Sequence, residues 1–318
     1  MDEMKKQGSG PFDTSLLKQR RAAGCCGPDY LLRPAGEELL ARLDEAWRDL
    51  VMRDDGGVGS GDDPKPAVKA PGAAGCGSES EAVRLLACGP GWLAAEVQAW
   101  AARNVPGAQV LWGQWLAAGE EAPPGTRLPA LVLDHERLPL AQGSIDVALV
   151  LFDLALVNDL PEALREWRRV LRPGGLLLAV LPGGETLREL RAAWVAAERL
   201  LAQERGLPVE DLPPGWRVAP FLEMRQLAGL AGMAGFSGVV SDVERLTVRY
   251  PDALALMREL KEAGWSNPLR QRPRTPVCRR LLGLAAAEYE LSHAAMDGRV
   301  PATFELLYLT AMRPASAS

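Results

Sequence analysis

Cys88-Gly89-Pro90-Gly91 joins an apolar run to an amphipathic one in "LLACGPGWLAAEV" (85–97). Glycines at the end of a strand let backbone amides and carbonyls come close to a ligand, because no side chain stands in the way. Close packing of a helix on a strand asks for the same residues, so a lone G-x-G pattern is half structural. Other chemistry has little material. There are two histidines, His135 and His293, and five cysteines, Cys25, Cys26, Cys76, Cys88 and Cys278, without a CxxC pair. That set supplies neither a zinc site nor a Ser-His-Asp triad, and no metal is expected. Cys25-Cys26 reads as two small residues at a helix end, with reduced thiols.

Around "LVLDHERLP" (131–139) three residues offer acid–base chemistry. Glu136 is a candidate base, but the better reading is a solvated loop acid. His135 reads as a surface histidine, since no second histidine or cysteine is spaced to share a metal. Trp112 and Trp115 flank the end of a strand, where they either stack on a ligand or, the favoured reading, belong to the core. Arg270, Arg272, Arg274, Arg279 and Arg280 form a compact basic run in an acidic chain. Such runs are mostly solvated faces; a docking role would suit an acidic partner or an anionic membrane surface. Interleaved aromatics for base stacking are missing, and no nucleic-acid partner is expected.

These residues need a frame. The chain has 318 residues, is 47% hydrophobic and 24% charged, and carries a net charge of −5. This is the composition of a globular protein with a full core. The N-terminal "MDEMKKQGSGPFDTSLL" lacks the apolar run of a signal peptide, and its acids oppose a mitochondrial presequence, so a cytoplasmic protein is expected. Helical periodicity covers 14–53, with a break at "GPD", and defines an N-terminal helical segment over 1–53. Residues 54–80 are rich in Gly, Pro, Ser and Asp and read as a flexible linker.

After the linker, strand-like runs at 82–88, 108–113, 129–134, 145–152 and 174–181 alternate with helical segments, among them 92–103 and 160–172. Strands apolar on both faces, separated by helices, predict an α/β, doubly wound, Rossmann-like parallel sheet. Further helices are expected from Gly184, at 221–234, 252–263 and 277–291. Strands are expected at "GVVSDVERLTVRY" and "ATFELLYLTAMR", and the domain over 81–314 ends in a disordered tail at 315–318.

"VRLLACGPGWLAAEV", "LVLDHERLPLAQGSIDVALVL" and "RVLRPGGLLLAVLPGGETLREL" together resemble the class I S-adenosylmethionine-dependent methyltransferase fold. The branch is the one that includes the malonyl-carrier-protein methyltransferase of biotin synthesis. Beyond those motifs, "FDTSLLKQRRAA", "NDLPEALREWRRVLRPGG", "RVAPFLEMRQLAGLAGMAGFSGVVSDVERLTVRYPDALALMRELKEAGWSN" and "DGRVPATFELLYL" are similar to the methyltransferase-like assembly factors of respiratory complex I and their alphaproteobacterial relatives. The resemblance covers nearly all of the chain outside 54–80. It implies a seven-stranded sheet with a reversed last strand and C-terminal helical additions. It also implies a protein substrate, an iron-sulfur subunit of complex I, in which the mitochondrial member hydroxylates an arginine. A position peripheral to the inner membrane would follow.

Carried over residue by residue, the family's cofactor site is incomplete. S-adenosylmethionine would meet Ala87, Gly89, Gly91, Gln114 and Asp134. Leu85 stands where the family has an acid, Ala87 replaces its first glycine, and Gln114 is the nearest polar residue to the missing ribose carboxylate. Asp134 is placed either to meet the adenine edge or simply as a polar strand end. Ala155-Leu156 replaces a His-Trp pair, while Asn158-Asp159 remains. A hydrogen bond to a charged group contributes on the order of 1.5–3 kcal/mol. Losing the ribose grip therefore weakens binding roughly tenfold to a hundredfold, and the expectation is S-adenosylmethionine with affinity weakened or lost. Transfer by proximity and orientation needs no triad, so no residue is assigned as catalytic. The alternative is a non-catalytic scaffold on a worn fold.

Overall fold

In a computed structural model, residues 10–22, 28–55, 82–115, 128–207, 217–273 and 276–315 are described. Most of the expected linker, Cys25, Cys26, Cys76, Arg274 and the last three residues of the tail lie outside them.

Strands β1 (Arg84–Cys88), β4 (Ile145–Leu151) and β5 (Leu171–Pro182) are buried along nearly their whole length. Such strands read as unbroken apolar runs because helices cover both of their faces. With β2 (Gln109–Trp115), β3 (Ala130–Leu133), β6 (Ser237–Tyr250) and β7 (Val300–Met312) they form one seven-stranded sheet of order β3-β2-β1-β4-β5-β7-β6. The first five strands pair in parallel, and β7 runs antiparallel to both β5 and β6. This is the Rossmann-like methyltransferase sheet with its reversed last strand. The order reverses between β1 and β4, so the turn after β1 opens at the switch point where ligands of such sheets bind.

Alternation sends successive strand residues to opposite layers. Leu85, Ala87, Trp112, Leu149 and Leu178 pack in one core with α2 (Asp29–Asp55), α3 (Gly91–Asn104), α5 (Arg188–Glu204) and α8 (Arg279–His293). Leu86, Cys88, Trp115, Val150 and Ala179 pack in the other, with α4 (Leu160–Val170) and α6 (Met224–Met233). Leu31, Leu39, Leu43 and Trp47 of the N-terminal segment lie in the first core, so that segment is built onto the sheet.

The remaining helices are α1 (Thr14–Ala22), whose Leu17 enters the second core, and α7 (Ala253–Glu262). Asp159 caps α4 by accepting from the Glu162 amide at 2.9 Å, and Arg168 and Arg169 close its last turn, where cations suit the helix dipole. Among the described residues no helix is long and apolar enough to cross a membrane.

Candidate functional site

At the switch point Gly89 takes a φ of 142°, which L side chains rarely adopt. A Cβ there would also stand 3.1 Å from Leu151 Cβ, so packing as well as conformation asks for glycine. Pro90 caps α3, and its carbonyl accepts from the Leu93 amide at 3.0 Å. Gly91, the first helical residue, is buried, and Cys88 before the turn is fully buried. Burial, and after it the nearby Asp153 carboxylate, pushes the Cys88 thiol far above its ordinary range. A thiol held neutral in this way is a packing group and a poor nucleophile.

Trp112 pairs with Ala87 across β1 and β2 and is 1% exposed. Its indole N–H donates to the Gly89 carbonyl at 3.0 Å. The core reading of Trp112 is therefore the one observed, and the residue also ties up one acceptor of the bare turn. Gln114, two residues on and so on the same face of β2, is buried at 8% exposure. Trp115 faces the other core.

Asp134 is half-buried at the end of β3. Its carboxylate accepts from the Glu136 amide at 3.0 Å, and its carbonyl from the Arg137 amide at 3.0 Å. His135 corrects the expectation of a surface histidine. It has no exposure, and its ring lies 5.6 Å from those of Trp115 and Trp167. Neither ring nitrogen has a hydrogen-bond partner, and the Asp153 carboxylate lies 3.6 Å away. Glu136 is not a merely solvated acid either. Its carboxylate accepts from the Asn158 and Asp159 amides at 2.5 and 3.1 Å and holds the β4–α4 loop. Among the described residues no cluster of three or more His, Cys, Asp or Glu side chains is arranged for a metal.

The basic run is largely engaged within the chain. Arg270 donates to the Phe12 carbonyl at 2.8 Å, Arg272 pairs with Asp13 at 3.0 Å, and Arg280 pairs with Glu204. Phe12 and Leu269 form an antiparallel bridge, and Asn158 accepts from the Phe12 amide at 2.7 Å. The N-terminal segment is thus strapped across the carboxyl ends of the strands.

Under that strap lies a cavity of about 60 Å³, lined among others by Leu17, Phe152, Leu156, Leu187, Phe221 and Trp265. Phe152 and Leu187 have φ of 65° and 55° and are the only non-glycine residues with positive φ among those described. Such conformations cost of order 1–3 kcal/mol and gather at ligand sites. Phe152 directly follows β4 and Leu187 caps α5 after the loop that leaves β5, a coincidence that no local sequence pattern announces. The position of Ala155-Leu156 pointed to this region. The contributions of α1 and of 264–268 were not legible, because they arrive from the far ends of the chain.

A family model described as "Methyltransferase domain" matches residues 85–179. The arginine-hydroxylase NDUFAF5, mitochondrial, of Danio rerio is 35% identical over 184 residues, which are 58% of this chain and 54% of that protein. The malonyl-[acyl-carrier protein] O-methyltransferase of Xylella fastidiosa (strain M23) is 36% identical over 58% of this chain and 57% of that one. The human arginine-hydroxylase NDUFAF5 is 30% identical over 58% and 51%. The chain thus spans a little over half the length of the curated relatives it matches. Residues 85–179 take in β1 through most of β5, and with the strand order they establish a class I methyltransferase fold in a chain related to NDUFAF5.

Gly89 and Gly91 leave the backbone of the turn bare, and neither of the two positions expected to bear a carboxylate has one. Leu85 is fully buried in the core, and a neutral amide stands at Gln114.

Proposed function

We propose that this chain, a relative of NDUFAF5 with a class I methyltransferase fold, acts on a protein substrate during assembly of respiratory complex I, with a weakened hold on S-adenosylmethionine. The observation that carries the reading is the strapped cavity at the ends of β4 and β5. Leu17, Arg20, Gly264, Trp265, Ser266 and Pro268 supply part of its lining, all outside residues 85–179, which match the methyltransferase family model. Leu17 and Arg20 lie in "FDTSLLKQRRAA", and Gly264, Trp265 and Ser266 in the stretch ending "KEAGWSN", both runs that resemble the complex I assembly factors. The relatives' names divide between an arginine hydroxylase and a carrier-protein methyltransferase at nearly equal identity. The C-terminal resemblance supports the former.

The cofactor, when bound, supplies a methyl group activated for transfer. Gly89 and Gly91 would receive it along the backbone, with the Gln114 amide and Asp134 beside its nucleoside. Two experiments test the reading. Calorimetric titration with S-adenosylmethionine and S-adenosylhomocysteine should give millimolar affinity. Deleting the gene should leave complex I incomplete on native gels, and fully assembled, active complex I in the deletion strain would overturn the assembly role.

One observation favours a second reading, a scaffold without catalysis. The Trp112 indole already satisfies the Gly89 carbonyl and is sealed in the core. Folded protein giving no heat at millimolar ligand, with complex I assembly still dependent on the gene, would select it.

A further inference from the structure

A second cavity, of about 390 Å³, adjoins the first, and the two share Arg20, Leu187, Val218, Trp265 and Ser266 as walls. Its volume falls in the range of small-ligand sites. The floor is apolar, with Leu190, Trp194, Leu260 and Leu282, while four cations line it, Arg20, Arg217, Lys261 and Arg272. Among the described residues no acidic side chain lines either cavity, although Glu198 pairs with Arg217 and Asp13 with Arg272.

Arg217 is set in place before any ligand arrives. Its guanidinium lies 5.5 Å from the centre of the Trp194 ring, and its Nε donates to Glu198 at 2.9 Å. Lys261 stands exposed in the last turn of α7. Ala87, Gly89, Gly91, Gln114 and Asp134 take no part in this lining.

Cations along an apolar channel select a ligand that carries both an anionic group and an apolar body. The size of the space suits a small molecule better than a folded surface. We propose that the joined cavities bind a small anionic amphiphile. Its head is a single carboxylate or phosphate held by Lys261 and Arg217, and its aliphatic chain runs along Trp194 and Leu260 toward Trp265. The inference goes beyond the function proposed above, with which it shares only the first cavity, and does not depend on the glycine turn.

Titration of the full-length protein with decanoate and with decyl phosphate, each below its micelle-forming concentration, tests it by calorimetry and by tryptophan emission from Trp194 and Trp265. One or both should bind saturably at one site, and the tighter of the two identifies the head. Decylammonium and butyrate should not bind. Lys261→Glu, an exposed change that spares the core, should weaken binding about tenfold, and Leu282→Trp should block it. Absence of saturable binding by either anion overturns the proposal. So does equal binding of decylammonium, or full affinity in Lys261→Glu.

Discussion

The indole of Trp112 and the carbonyl of Gly89 are joined by a hydrogen bond of 3.0 Å between β2 and the turn after β1. The donor is sealed from solvent, and the acceptor belongs to the one backbone stretch whose bareness suggested a ligand. Trp112→Phe keeps most of the volume but orphans the carbonyl, and should cost about 1–3 kcal/mol. Trp112→Ala should cost about 3–5 kcal/mol by opening a cavity. Urea unfolding measures both, and near-neutral Trp112→Phe would show that the bond contributes nothing.

Gln114→Asp returns a carboxylate to the end of β2. Affinity for S-adenosylhomocysteine should rise roughly tenfold to a hundredfold, the worth of one hydrogen bond to a charged group. Calorimetry on both proteins reads the difference. An unchanged affinity would mean that Trp112, not the missing acid, limits the site.

Glu136→Gln should loosen the start of α4. The carboxylate that accepts from the Asn158 and Asp159 amides becomes a neutral amide, at a cost of about 1.5–3 kcal/mol. Hydrogen exchange should speed up at these two amides first. Uniform protection across the loop would contradict the assignment.

How much of this was legible in the sequence depends on range. The strand order could be read because each buried strand is a continuous apolar run and each helix has its own period. The glycine turn could be read because it is four consecutive residues. The burial of His135 could not, since Trp115, Asp153 and Trp167 reach it from three different elements. Nor could the engagement of Arg270 and Arg272, whose partners lie at Phe12 and Asp13, at the other end of the chain. A run of arginines looks solvated until its partners are known.

His135→Phe should be tolerated. The ring nitrogens lack hydrogen-bond partners and the neighbours are indoles, so an apolar ring of similar size should change stability by less than about 1.5 kcal/mol. A loss of several kcal/mol in thermal or urea unfolding would show that contact with Asp153 at 3.6 Å matters more than its length suggests.

The strap should respond to acid. The Leu16 amide, which donates to the Asp13 carboxylate at 3.2 Å, holds that carboxyl below its ordinary value; partial burial opposes this, and Arg272 adds to the lowering. A lowered folded pKa gives a contribution that is complete above the unfolded value of about 4 and disappears as pH falls through the lower, folded one. Exchange at the Asp13 amide, which donates to the Pro268 carbonyl, should therefore accelerate below pH 4 beyond its intrinsic rate. Asp13→Asn should flatten that dependence, and an unaltered profile in the variant would exclude Asp13 as its source.

The bridge between Phe12 and Leu269 has a kinetic corollary. Anything too bulky to reach the small chamber by way of the larger cavity must wait for the two chain segments to part, so its uptake should approach a ceiling rate however concentrated it is. That ceiling would report the spontaneous opening of the crossing itself, and stopped-flow mixing of wild type against Arg272→Ala would time it.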